Sequence, residues 1–87
     1  MAEPSVVTLK GELTLETAVA HLGLTLPAGN VVLDFRSVTR VDSSALALLL
    51  AWLRRAKVRR STVELRALPE SLLALARLYG VDTLLPV

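Results

Sequence analysis

Asp42, Ser43 and Ser44 stand in a row directly before nine consecutive apolar residues, 45–53. A helix starting here presents unpaired backbone N–H groups and partial positive charge, which favour an anion or a hydroxyl. All three side chains are of the types that cap helix N-termini. Three roles are therefore open to the two hydroxyls: capping the helix, contacting a partner, or carrying a phosphate. A phosphate on Ser44 would add ~1.5–2 negative charges at the helix start, a favourable place for it within the chain. Asp42 would oppose that charge, and an apolar partner docked there would have to desolvate it. Phosphorylation of Ser44 is thus expected to break a complex rather than to unfold the domain.

Other chemistry has little material. The chain has no cysteine, which excludes disulfides and thiolate sites, and a single histidine, His21. Around Asp42 there is no base, no Gly-rich phosphate cradle and no set of metal ligands. No catalytic residue, metal or cofactor is assigned. Net charge is only +2, and the cations gather at Arg54, Arg55, Lys57, Arg59 and Arg60. That cluster reads as a helix end whose cations complement the helix dipole. Nucleic-acid binders show a wider basic face with aromatic or polar readers among the charges, so no nucleic-acid partner is expected. No apolar run is long enough to span a bilayer, and the first residues begin no secretory signal. The expectation is a cytoplasmic protein.

The elements that position the Asp-Ser-Ser triplet follow from pattern. Residues 5–9 are β-branched enough for a strand, with Gly11 breaking it and Glu12 and Leu13 adding a short second one. Thr14 is the expected N-cap of a helix over 15–22 that carries Leu15, Val19 and Leu22 on one face and stops at Gly23. Pro27, Gly29 and Asn30 mark a turn. Residues 31–35 read as a central strand buried on both faces, interrupted only by Asp34, which should bond loop amides or a basic neighbour. Residues 36–41 are read as the following loop, with Arg36 and Arg40 facing acidic groups on a partner or solvent. The next helix runs from Asp42 or Ser43 to about Lys57. Leu46, Leu49, Leu50 and Leu53 form one stripe on it, while Leu48 and Trp52 fall towards another. One side would cover the sheet and the other would meet a partner, with Trp52 a candidate anchor or a core residue. Residues 61–66 alternate as a strand. Pro69 fits the first position of a third helix that ends at Gly80, with Tyr79 expected in the core, and residues 81–86 form an apolar tail suited to an edge strand.

This order implies a single α/β domain, residues 1–87, with a mixed sheet of about four strands packed against about three helices. Hydrophobic residues make up 53% of the chain, and mean hydropathy is +0.56. So small a domain buries only about 60–65% of its unfolded surface. Apolar surface should therefore remain for a partner.

The strand–loop–helix unit ending in Val41-Asp42-Ser43-Ser44-Ala45-Leu46 resembles the signature of STAS domains, the family of anti-sigma-factor antagonists and sulfate-transporter tails. The run Leu75-Ala76-Arg77-Leu78-Tyr79-Gly80, followed by Leu84-Leu85-Pro86, is similar to the MlaB-like branch, which serves the ABC system moving phospholipids between Gram-negative membranes. The resemblance covers residues 31–86. It implies a STAS-like fold and a non-catalytic subunit, peripheral to the inner membrane, that binds the ABC transporter ATPase. In that branch the hydroxyl directly after Asp matters, which points to Ser43. In the sigma-factor regulators the phosphorylated hydroxyl is the next one, which points to Ser44 as the candidate phosphorylation position. Those regulators follow it with Gly, where this chain has Ala45. The expected partner-binding or regulatory set is Arg40, Asp42, Ser43, Ser44, Leu48 and Trp52. The same apolar helix face would support a homodimer when the partner is absent. The alternative function is an anti-sigma-factor antagonist switched at Ser44.

Overall fold

The computed structural model describes residues 3–23 and 26–86, with the Leu22 side chain outside the description. Three strands form its sheet: β1 (Ser5–Leu13), β2 (Asn30–Val41) and β3 (Thr62–Arg66), in the order β1-β2-β3. Both pairings are parallel. The α/β fold is as expected, with three parallel strands among the described residues in place of a mixed sheet of about four. Parallel neighbours require crossovers, here α1 (Ala18–Leu22) and α2 (Ser43–Val58). Successive crossovers stepping the same way across a sheet put their helices on one face. There α2 covers the inward residues Leu9, Leu13, Val31, Leu33 and Phe35, and α3 (Glu70–Leu78) packs beside it.

Two irregularities reshape the central strand. Register slips between the pairs Thr8/Lys10 and Gly11/Glu12, each time with one extra residue on β2. The inward positions of β2 are therefore 31, 33 and 35, then 38 and 41. Asp34 accepts the Arg36 amide at 2.9 Å, beside the first slip. The expected loop over 36–41 is thus strand. Gly11 does not break β1 either: it sits at φ +74°, a conformation open to glycine, and carries the strand through its own irregularity.

Two other elements differ from expectation. Residues 81–86 form no edge strand but a short 3₁₀ helix, η1 (Asp82–Leu84). Tyr79 lies exposed rather than in the core, because α3 ends at Leu78 and Gly80 turns the chain at φ +70°.

Leu46, Leu48, Leu49 and Trp52 are all buried in the chain's own core, Trp52 with no exposed surface and Leu48 with 3%. The expectation that Leu48 and Trp52 project from α2 to anchor a partner is corrected by this burial. A three-stranded sheet flanked by α1 and α3 is narrow enough to surround most of the helix circumference. Among the described residues, Trp52 is the largest fully buried side chain, and its Nε1 finds no acceptor. Trp52→Ala should lower folding stability by about 3–5 kcal/mol. A fall in the urea midpoint without a change of slope would show it.

Candidate functional site

The carboxyl ends of β1 and β2 lie side by side, with Leu13 paired to Val41. Beyond this pair the ladder stops and two backbone segments diverge, one into α1 and one into α2. Asp42 joins them. Its own N–H donates to the Leu13 carbonyl at 3.3 Å. Its Oδ1 accepts the Ser44 amide at 2.8 Å, and its Oδ2 accepts the Leu15 amide at 3.0 Å. The first bond caps α2, and the second ties down the start of the neighbouring crossover. The Leu15 amide foremost, then the Ser44 amide and hydroxyl and the Ala45 amide, hold the Asp42 carboxyl below its ordinary 3.8, while partial burial pulls the other way.

The two serines are thereby distinguished. Ser44 is half-buried, and its hydroxyl bonds the Asp42 carboxylate. Ser43 is exposed at the first helical position, and among the described residues no partner engages its hydroxyl. Arg40 is also exposed, with its guanidinium 3.8 Å from the Glu12 carboxylate, a surface pair that holds neither side chain firmly. Asp42, Ser43, Ser44 and Arg40 thus sit together at one end of the sheet, whereas Trp52 is remote and enclosed.

Leu48 contributes differently from expectation. It floors a shallow apolar depression of about 220 Å³ lined also by Ala18, Val19, Ser44 and Ala47. Beside it, Leu15 and Val19 are 72% and 83% exposed. The helix expected over 15–22 begins only at Ala18. Thr17 Oγ1 accepts the Thr14 amide and donates to the Glu12 carbonyl at 2.7 Å, which closes a turn before the helix starts. Half-buried His21, in the last turn of α1, donates from Nε2 to the same carbonyl at 3.1 Å. The sequence places Leu15 and Val19 on one helix face, but in the structure Leu15 precedes the helix and both side chains are exposed.

The site therefore offers a fixed helix start, one unengaged hydroxyl, an arginine at its edge and an apolar depression. No cluster of His, Cys, Asp or Glu suited to a metal occurs among the described residues. No described helix is long and apolar enough to cross a membrane.

This arrangement, a parallel sheet whose central strand delivers an Asp-Ser-Ser cap to a long covering helix, is that of a STAS-type domain. The family described as "Mlab, STAS domain" matches residues 2–86, and the chain belongs to it. A solved sulfate transporter family protein from Wolinella succinogenes has the same fold, with a TM-score of 0.71 at 14% identity over 92% of this chain and 69% of that one. No curated protein matches the chain.

The pH dependence of folding follows from the Asp42 bonds. Its carboxyl is depressed in the fold, so its ionised form stabilises the folded state. That contribution is complete above 3.8 and is lost as pH falls through the lower folded value. Asp42→Asn keeps a capping side chain but removes the titration. Thermal melts between roughly pH 6 and pH 2.5 should show a steeper acid decline for the wild type than for the variant. Parallel declines would remove Asp42 from the acid response.

Proposed function

We propose that this chain is a non-catalytic regulatory or assembly subunit of a phospholipid-transporting ABC complex. It binds the complex's ATPase on the cytoplasmic side of the inner membrane through residues 40–44 and the adjoining α1–α2 depression. Membership of the MlaB-type STAS family supports a role in regulation or assembly. The observation that carries the reading at this site is the Ser43 hydroxyl, exposed on a helix start that Asp42 holds in place, next to exposed Leu15 and Val19. Such a surface docks without ordering a loop first, which lowers the entropic cost of association.

The geometry favours this reading over a phosphate switch. The Ser44 hydroxyl rests against the one carboxylate that caps α2, and a phosphate there would repel the group holding both crossovers.

The decisive experiment is affinity capture of the tagged chain from its native cells, with mass spectrometry of its partners and of Ser43 and Ser44. Stoichiometric recovery of an ABC ATPase with both serines unmodified is expected. Ser43→Arg and Val19→Asp should each reduce that recovery by about tenfold or more, while Leu78→Asp, at an exposed position on α3, should not. All three should stay folded and melt within about 5 °C of the wild type, the wrong-sign charges at helix ends costing only ~0.3–1 kcal/mol. Recovery of a kinase with phosphate on Ser44 would replace the transporter reading with an anti-sigma-factor antagonist.

A further inference from the structure

The other end of α2 lies about 24 Å along the helix from Ser43. There Arg54, Arg55 and Arg59 line a half-open cavity of about 370 Å³. Its polar lining is Arg54, Arg55, Arg59 and Ser61, and its apolar lining is Leu26, Ala56 and Val58, with no carboxylate among them. The sequence places no Asp or Glu between Asp42 and Glu64, nor between Glu16 and Asp34. The segments that build the cavity are therefore without acids throughout.

Three features set this cavity apart from a solvated helix end. Arg59 is oriented, because its Nη1 donates to the Leu26 carbonyl at 3.0 Å, leaving further N–H groups on the same guanidinium. Ser61 has its amide bound to the Ala56 carbonyl at 2.8 Å, while its buried Oγ has no hydrogen-bond partner among the described residues. The turn that brings Ser61 back onto α2 passes through Arg60 at φ +57°, an unfavourable conformation for a residue with a side chain. The helix end itself carries only about half a negative charge, which Arg54, Lys57, Arg59 and Arg60 exceed without counting Arg55. The surplus is positive, and the floor beneath it is apolar, with Val58 largely exposed at its rim.

We propose that this cavity binds a phosphate-bearing amphiphile. Its anionic headgroup would sit against Arg54 and Arg59 with the Ser61 hydroxyl, and its carbon body on Leu26, Ala56 and Val58. Guanidinium groups match phosphate oxygens in geometry and charge, and the apolar floor favours a phosphate joined to a carbon body over a free ion. This assignment is independent of the ATPase reading, since it uses the opposite end of α2 and none of the docking residues.

The test uses the full chain with three probes: a short-chain phosphatidylglycerol, inorganic phosphate and a single-stranded oligonucleotide, each followed by amide NMR shifts. Sedimentation with vesicles of equal parts phosphatidylcholine and phosphatidylglycerol gives a second readout. Phosphatidylglycerol should shift the amides of Ala56, Val58 and Ser61, and bind at least about tenfold tighter than inorganic phosphate. The double variant Arg54→Gln/Arg59→Gln should lose about 30-fold in vesicle binding, while Arg36→Gln/Arg66→Gln, with the same charge change outside the cavity, should lose far less. Unchanged melting temperatures in both variants would tie the difference to the cavity. Equal losses in the two variants, inorganic phosphate or oligonucleotide binding as tightly as the lipid, or no shifts at the cavity amides would each overturn the proposal.

Discussion

Everything at the Asp42 end of this domain depends on one carboxylate with two oxygens. Where β1 and β2 part company, the strand ladder leaves the amides at the start of two crossovers without partners. A serine or threonine cap offers a single oxygen, sufficient for one helix. Asp42 offers two, and they go to amides far apart in sequence, Leu15, which lies 27 residues from Asp42, and Ser44, which lies 2. The same residue donates its own N–H to Leu13. The crossovers are thereby fixed to each other as well as to the sheet, and the surface between them, with Ser43 and the α1–α2 depression, is set by the chain itself.

The apolar excess of the composition is distributed in a way that follows from domain size. α2 is apolar around most of its circumference, which suggests a face for a partner, yet the fold consumes nearly all of it. A small sheet leaves the long helix enclosed by its flanking helices, and Leu48 and Trp52 are taken into the core. The surplus appears instead at Leu15 and Val19 around the short α1 and at Val58, Leu78 and Leu84, the last residues of their elements. Short helices have too little length to turn every apolar side chain inward.

The legible parts of the structure were those governed by local chemistry. The cap at Asp42, the buried run 31–35, the left-handed stop at Gly80 and the Asp34 bond to a nearby amide all follow from side-chain type and immediate neighbours. The period-2 reading failed beyond Phe35 because each extra residue on β2 advances the inward face by three positions, so Val38 and Val41 look like residues of a loop. Gly11 looked like a strand end for a related reason, since a left-handed residue inside a strand has the same signature as a turn. At the site, the chemistry of Asp42 was visible and its second partner was not. The Leu15 amide is a backbone group brought near by sheet pairing, and nothing in its side chain advertises it.

The two ends of α2 also differ in a way that the helix dipole organises but does not complete. At the N-terminus a carboxylate and two hydroxyls meet the positive end, and the charges nearly balance: Asp42 satisfies the cap, and Ser43 remains a neutral donor and acceptor. At the C-terminus cations meet the negative end in excess, with no acid on the segments around them to compensate. A helix needing only a favourable end charge would carry one or two basic residues in its last turn, as α3 does with Arg77. Arg54 and Arg59 at the α2 cavity are therefore in excess of what helix stability asks, and a bound anion would supply charge opposite them. Because a rigid helix separates the two ends, a protein partner at one and an anion at the other would not compete for the same atoms.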